Sequence, residues 1–201
     1  MTIRIAINGL GRIGRCVVRA LAENNNTNLK LVAVNGPAPT DTHLHLLKHD
    51  SIHGFFDKVK KTGAEELDIG FGSIAVFHER DPEKLPWAEL NIDVVLECTG
   101  FFTKKSDALK HITAGAKKVL ISAPSDDADA TVVYGVNNGA LKPDYKVISV
   151  GSCTTNCLAP VAKIICFAEI SERPVEEVTL IFPPPLRRAC PSKTVILFFF
   201  M

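Results

Sequence analysis

Ile3-Arg4-Ile5-Ala6-Ile7-Asn8-Gly9-Leu10-Gly11-Arg12-Ile13-Gly14-Arg15 is the stretch whose reading decides the fold. Its first part, Ile3 to Asn8, is nearly all apolar and alternates little. That suits a strand buried on both faces of a parallel sheet. Gly9, Gly11 and Gly14 then follow in G-x-G-x-x-G spacing. A helical apolar pattern takes over at once through Ile13, Val17, Val18 and Leu21. Between a strand and a helix each glycine has its own reason. Gly9 permits the tight turn, Gly11 lets a pyrophosphate approach the backbone, and Gly14 lets helix and strand pack closely. The phosphates of such a ligand would sit on the unpaired N–H groups of the helix N-terminus. The expectation is a dinucleotide site in an α/β fold.

Outward from that turn the same alternation repeats. Asn24 to Asn28 reads as a polar turn and Leu29 to Asn35 as a second buried strand. The end of this strand should offer a carboxylate to the adenosine ribose if NAD is the ligand. Gly36 stands there instead, and the nearest acid, Asp41, lies beyond Pro37 and Pro39. No arginine follows Gly36 closely to bind a 2′-phosphate, so NAD is favoured and NADP stays open. Val59 to Phe77 reads as short strands with glycine turns at Gly63, Gly70 and Gly72. Asp93 to Cys98 is another buried strand. It ends at Thr99, where open α/β sheets bind their ligands. A helix is expected from Thr103 through His111 to Ala114, and a strand from Lys117 to Ser122. Thr131 to Asn137 and Val147 to Val150 complete a doubly wound, mainly parallel sheet over residues 1–150.

Four of the six histidines, His43, His45, His49 and His53, crowd one short region. His45 and His49 stand four apart, the spacing of one helix face. No thiol or carboxylate set completes a metal site around them, so no metal is expected.

Val147-Ile148-Ser149-Val150-Gly151-Ser152-Cys153-Thr154-Thr155-Asn156-Cys157-Leu158-Ala159-Pro160 is the second informative stretch. A β-branched run ends in small residues, and Leu158, Val161, Ala162 and Ile165 then follow a helical pattern. This places Cys153 at a strand-to-helix turn, facing unpaired N–H groups that favour an anion. A thiolate there is the nucleophile that covalent aldehyde chemistry needs. The other reading is a buried structural cysteine. Cys157, one turn further on, is expected to point into packing.

Composition narrows the remaining classes. The chain has 201 residues, 46% hydrophobic and 22% charged, with a net charge of +1. These values are ordinary for a globular protein and give no general push toward nucleic acid or membrane. No apolar run approaches the ~18 residues that span a bilayer, and no signal-peptide pattern opens the chain. Six cysteines are too few for a disulfide scaffold, so reduced thiols in the cytoplasm are expected.

Ala6-Ile7-Asn8-Gly9-Leu10-Gly11-Arg12-Ile13-Gly14-Arg15 and Ser152-Cys153-Thr154-Thr155-Asn156-Cys157-Leu158-Ala159-Pro160 together resemble the phosphorylating glyceraldehyde-3-phosphate dehydrogenase family. Leu46-Leu47-Lys48-His49-Asp50-Ser51-Ile52-His53-Gly54 is similar to a further, non-catalytic segment of that family. The close relative that uses erythrose 4-phosphate has a similar cysteine segment and remains an alternative. The resemblance implies that Cys153 carries a thioester and that Ser152 and Thr154 contact substrate or inorganic phosphate. It implies cofactor contacts at Asn8, Gly9, Gly11, Arg12, Ile13 and Gly14, with Arg80 near the adenine and Thr99 and Ser122 along the cleft. It further implies an NAD-dependent oxidative phosphorylation of an aldose phosphate in glycolysis, by a homotetramer. Two positions depart from the family pattern. Val150-Gly151 stands where Asn-Ala is usual, and Gly36 where most NAD-using members have Asp.

The likeness runs from Met1 to about Ile165 and then stops. Residues 151–166 read as the cysteine turn and the first helix of a catalytic domain. Residues 167–201 read as an unrelated, poorly ordered tail ending Val195-Ile196-Leu197-Phe198-Phe199-Phe200-Met201, an apolar run that is an aggregation hazard if exposed. The break inside an intact pattern suggests a truncated or frameshifted reading frame, a hypothesis that sequencing across the junction tests. No histidine follows Cys153 to act as its base. Little turnover is therefore expected, and a catalytically dead dinucleotide-binding module is the alternative to an enzyme.

Overall fold

The computed structural model describes residues 2–24, 28–70 and 72–170, with side chains as far as Ile165. Strand β1 (Ile3–Asn8) turns through the glycines into α1 (Arg12–Asn24), and β2 (Leu29–Asn35) leads to α2 (Thr40–Lys48). A small hairpin, β3 (His49–Asp50) with β4 (Gly54–Phe55), is followed by β5 (Lys60–Gly63), β6 (Glu66–Asp68) and β7 (Ser73–Phe77). Then come β8 (Val94–Glu97), α3 (Lys105–Thr113), β9 (Lys118–Ile121), β10 (Ala130–Thr131), β11 (Val147–Ser149) and α4 (Cys153–Ile170).

The main sheet runs in the order β10-β11-β9-β8-β1-β2-β7-β6-β5. Every pair from β10 to β7 is parallel, and β6 and β5 join antiparallel at one edge. This is a Rossmann-type α/β sheet, mainly parallel as the repeated apolar runs implied. The chain leaves β1 for β2 on one side and later returns to β8 on the other. The crevice between the ends of β1 and β8 is therefore the point where the strand order reverses, the place such sheets bind ligands.

Alternate residues of β1 feed two cores. Ile5 and Ile7 pack with Val18, Ala22, Leu31 and Leu47 on the face covered by α1 and α2. Ala6 and Ala33 face the other way, where Trp87, Leu85 and Ile92 fill the space that these small side chains leave. Ala108 of α3 closes over Val119, Ile121 and Val147. Strands covered on both faces carry apolar residues on both, which is why β1 and β2 alternate little beyond Arg4 and Lys30.

Several boundaries differ from the sequence reading, each for a local reason. Ile13 is 50% exposed, because the buried stripe of α1 is Gly14, Val18, Arg19 and Ala22. Arg19 is buried because the end of α2 needs donors. Its Nη2 donates to the carbonyls of Leu47 at 2.7 Å and Gly54 at 2.9 Å, while its guanidinium lies over the Phe56 ring. Helix α3 begins at Lys105, where the Asp127 carboxylate accepts the Lys105 N–H at 2.8 Å. The strand expected over 131–137 is only β10. Asn137 folds back to accept from Val133 N at 2.7 Å and donate to Thr131 O at 3.0 Å, and the chain turns. Helix α4 continues to Ile170, into the segment read as tail. The expectations for 171–201 lie outside the described residues.

Candidate functional site

Three glycines open the site, and their surroundings differ. Gly9 has φ +98°, and a Cβ there would lie 2.7 Å from the backbone of Cys98 and Thr99. The ends of β1 and β8 therefore approach more closely than any side chain permits. A Cβ on Gly14 would lie 2.0 Å from the Gly9 carbonyl oxygen, so α1 packs directly on the turn. Around Gly11 nothing stands within 4 Å. That open space belongs to a cavity of about 550 Å³. Its walls are Asn8 to Gly11, Asn35 to Ala38, His43, Leu46, Glu79, Arg80, Cys98, Thr99, Phe101 and Phe102.

Beneath the cavity a buried polar ladder crosses the sheet from β7 to α3. Glu79 N–H donates to Asn35 Oδ1 at 3.0 Å, and Asn35 Nδ2 donates to Asn8 Oδ1 at 2.7 Å. Asn8 Nδ2 donates to Glu97 Oε2 at 2.6 Å. His111 Nε2 lies 3.0 Å from the same oxygen, and Trp87 Nε1–H donates to His111 Nδ1 at 3.0 Å. The indole donor requires an unprotonated Nδ1, so the proton of His111 sits on Nε2 and points at Glu97. Glu97 Oε1 accepts from Thr99 N at 2.7 Å and from the Thr99 hydroxyl. Glu97, His111 and Trp87 are at most 1% exposed. Buried polar groups cost little only when fully paired, and here each has its partner.

The residues singled out in the sequence fall into three groups. Asn8, Gly9, Gly11, Arg80 and Thr99 meet around the cavity. The Asn8 amide is committed to the ladder, and the Thr99 hydroxyl to Glu97. Arg12, Ile13, Gly14 and Ser122 lie outside its walls. Arg12 pairs with Asp50, whose carboxyl is held far below the usual range by the N–H groups of His53 and Ile52 and then by Arg12. Ser122 follows β9 and lends its hydroxyl to Cys98. Burial nevertheless pushes the Cys98 thiol up to about 11.

Cys153, Ser152 and Thr154 form the third group, at the end of β11. Gly151 has φ +72°, a left-handed conformation in which a glycine is favoured, and its N–H is held by Ser149 Oγ at 3.0 Å. Ser152 Oγ accepts the Thr155 N–H at 3.0 Å and so caps α4. Asn156 Nδ2 donates back to the carbonyls of Val150 and Ser152 at 2.7 and 2.8 Å. Cys153 is the first residue of α4, exposed and unpaired with any other cysteine. Cys157 is exposed as well, contrary to the packing expected of it. The two stand one helical turn apart, so whatever leaves one open leaves the other open. Strand β11 lies three strand spacings from β1, roughly 14 Å at ~4.8 Å each. Both turns stand at carboxyl ends of parallel strands, along the same end of the sheet.

Sequence reasoning did not find Asn35, Glu97 or His43. Glu97 carried a signal, a carboxylate inside an apolar strand, since such a group is seldom buried without a partner. The His45 and His49 rings lie 4.7 Å apart, tilted by 36°, and no metal-binding set occurs among the described residues. His43 is the unusual member of the cluster. It is 3% exposed, it walls the cavity, and neither ring nitrogen has a partner at hydrogen-bond geometry. It occupies the space beside Gly36, where a Cβ would lie 2.8 Å from His43 Nε2. Burial holds its imidazole below the ordinary value. The Gly36 backbone works against that shift, and His78 and Arg15 add to it.

Comparison with known proteins gives the same outline. Residues 3–105 match the family described as glyceraldehyde 3-phosphate dehydrogenase, NAD binding domain. A glyceraldehyde-3-phosphate dehydrogenase of Xanthobacter flavus is 50% identical over 165 residues, covering 82% of this chain and 49% of that protein. The one of Cereibacter sphaeroides is 51% identical over 165 residues, with the same shares. Glyceraldehyde-3-phosphate dehydrogenase 2 of Streptomyces avermitilis is 52% identical over 166 residues, again with shares of 82% and 49%. The chain thus spans about half the length of the curated relatives it matches.

Proposed function

The chain belongs to the glyceraldehyde-3-phosphate dehydrogenase family through its NAD-binding domain, and we propose that it binds NAD in the cavity between β1, β2 and β8. The observation that carries this reading is the open space at Gly11 beside the two glycines that are sterically obligatory, a cradle that an added Cβ would fill. The Gly9–Gly11 backbone would hold the pyrophosphate, and Arg80 would lie toward the adenine. Ile13, Gly14 and Arg12 would support that turn from α1, and Thr99 and Ser122 would border the path toward the thiol. NAD is favoured over NADP because no cation follows Gly36 closely.

Cys153 is the proposed nucleophile. Its Sγ, as thiolate, adds to an aldehyde carbon, and that carbon then loses a hydride and becomes a thioester. The acceptor for that hydride is the chemistry that NAD would supply when bound. Inorganic phosphate attacks the thioester carbon and the Cys153 thiolate leaves, so an acyl phosphate is released. Ser152 and Thr154 would bind substrate or phosphate oxygens beside it. The substrate is proposed as glyceraldehyde 3-phosphate, with erythrose 4-phosphate as the nearest alternative. The four described cysteines are free thiols, in keeping with work in the cytoplasm.

A specific observation favours cofactor binding with little turnover. His111 is fully buried and committed to Glu97 and Trp87, so it is not a base for Cys153. The deciding experiment is a steady-state assay with glyceraldehyde 3-phosphate, NAD and phosphate, run beside a direct NAD titration. Binding without turnover is the expected result. Rapid turnover abolished by Cys153→Ser would replace the low-activity reading, and absence of NAD binding would overturn the cofactor assignment.

A further inference from the structure

We propose that His43 recognises the 2′ position of the cofactor's adenosine ribose, in the place where a dinucleotide-binding β2 usually ends in a carboxylate. The inference rests on the NAD reading of the cavity. Three observations carry it. First, β2 ends at Asn35, and the residue after it is Gly36, with no side chain to offer a ribose. The position expected to bind the hydroxyl is empty on the strand itself. Second, the space beside it is filled from α2. The His43 ring lies where a Gly36 Cβ would stand 2.8 Å from Nε2 and 2.9 Å from Cε1. A glycine at 36 is what allows that histidine to reach the end of β2. Third, both ring nitrogens of His43 are buried and neither has a partner at hydrogen-bond geometry, as is also true of Arg15 Nε. His78 lies parallel to it with centroids 6.2 Å apart, but spends its own nitrogens on the Gly36 carbonyl at 2.9 Å and Glu65 at 2.6 Å.

The chemistry fits a hydroxyl. A neutral imidazole offers one N–H donor and one lone-pair acceptor. A ribose 2′-hydroxyl is also both donor and acceptor, so either tautomer of His43 complements it. A carboxylate would accept only, and would also repel a 2′-phosphate. His43 keeps the hydroxyl contact and gives up the repulsion. The chain should therefore recognise NAD through the hydroxyl yet discriminate against NADP only weakly.

The test is calorimetric titration of the full chain with NAD, NADP and the NAD analogue lacking the adenosine 2′-hydroxyl. The wild type is expected to bind NAD roughly three- to tenfold more tightly than the 2′-deoxy analogue, the worth of one neutral hydrogen bond. His43→Phe keeps a ring and removes both nitrogens, and should bind NAD and the analogue equally. His43→Asn keeps a donor and an acceptor and should retain the preference. Gly36→Ala, whose Cβ displaces the ring, should behave like His43→Phe. If His43→Phe keeps the full preference for NAD over the analogue, the His43 assignment fails while the cavity remains the cofactor site. If the wild type binds none of the three, the cavity reading fails and this inference with it.

Discussion

The turn after β1 and the turn after β11 are both strand-to-helix corners at the carboxyl ends of strands of the same sheet, but different forces hold them. The first rests on a buried ladder running from Glu79 through Asn35, Asn8 and Glu97 to His111 and Trp87. It also carries two glycines that no other residue can replace without moving backbone. The second is held by Ser149, Ser152 and Asn156, with Cys153, Thr154, Thr155 and Cys157 exposed around it. A cofactor cradle built from backbone must be rigid, because it has no side-chain freedom with which to adapt. A nucleophile needs exposure, and exposure removes the contacts that would fix it. The contrast places the stability of this chain at one corner and its proposed chemistry at the other.

Glu97→Leu strikes the rigid corner hardest. It strands Asn8, His111 and Thr99 without their acceptor and should cost about 3–5 kcal/mol. Urea unfolding measures this, and a loss under about 1 kcal/mol would mean the ladder does not hold the corner. Gly11→Val separates function from fold at the same place. It should weaken NAD binding by at least about a hundredfold. Stability should change by only about 0.5 kcal/mol, because the added side chain enters open space. Equal NAD affinity in that variant would remove the cavity assignment.

Trp87→Phe keeps most of the ring volume but leaves His111 Nδ1 without its donor, and should destabilise by about 1–3 kcal/mol. A smaller effect appears at the exposed corner. A helix end favours an anion at its first turn by about 0.3–1 kcal/mol, so iodoacetamide should label Cys153 no more than about fivefold faster than Cys157. Cys98, buried with its thiol pushed up to about 11, should stay unlabelled at neutral pH. A Cys153 rate hundreds of times that of Cys157 would show a further group activating it.

The smallest effect is pH-linked. Burial works against a charge on His78, but Glu65 and the Gly36 carbonyl outweigh it, and its value is raised. The stabilisation is therefore fully present below the unfolded value of about 6.5 and is lost as pH climbs through the raised folded value. His78→Asn should be less stable than the wild type near pH 6 and should converge with it near pH 9. A gap that is constant across that range would show that the pairing is not charge-assisted.

Much of the site was visible in residue order because its demands are local. The three glycines, the strand before them and the helix after them are neighbours in the chain, and their spacing carries the steric argument. The thiol at the start of α4 is visible for the same reason. Asn35 and Glu97 were missed because their partners are distant in sequence, and His43 because nothing in the residue order shows that its ring is buried against Gly36. Asn8 and Glu97 are 89 positions apart, and nothing between them announces the contact. Cys157 was misjudged because a helical apolar pattern tells which residues share a face but not whether anything covers that face.

By itself, the order of residues determined a doubly wound α/β fold, a glycine cradle at the end of its first strand and a thiol at a later strand end. These follow from periodicity, backbone sterics and neighbouring positions, which act over a few residues. Tertiary structure alone decided that β1 and β8 come close enough to make Gly9 obligatory and that a polar ladder holds that corner. It also decided that His43 stands where Gly36 leaves room. Those contacts exist only after the sheet has brought separate segments together. Their energies depend on burial and pairing, and neither is a property of any single stretch of chain.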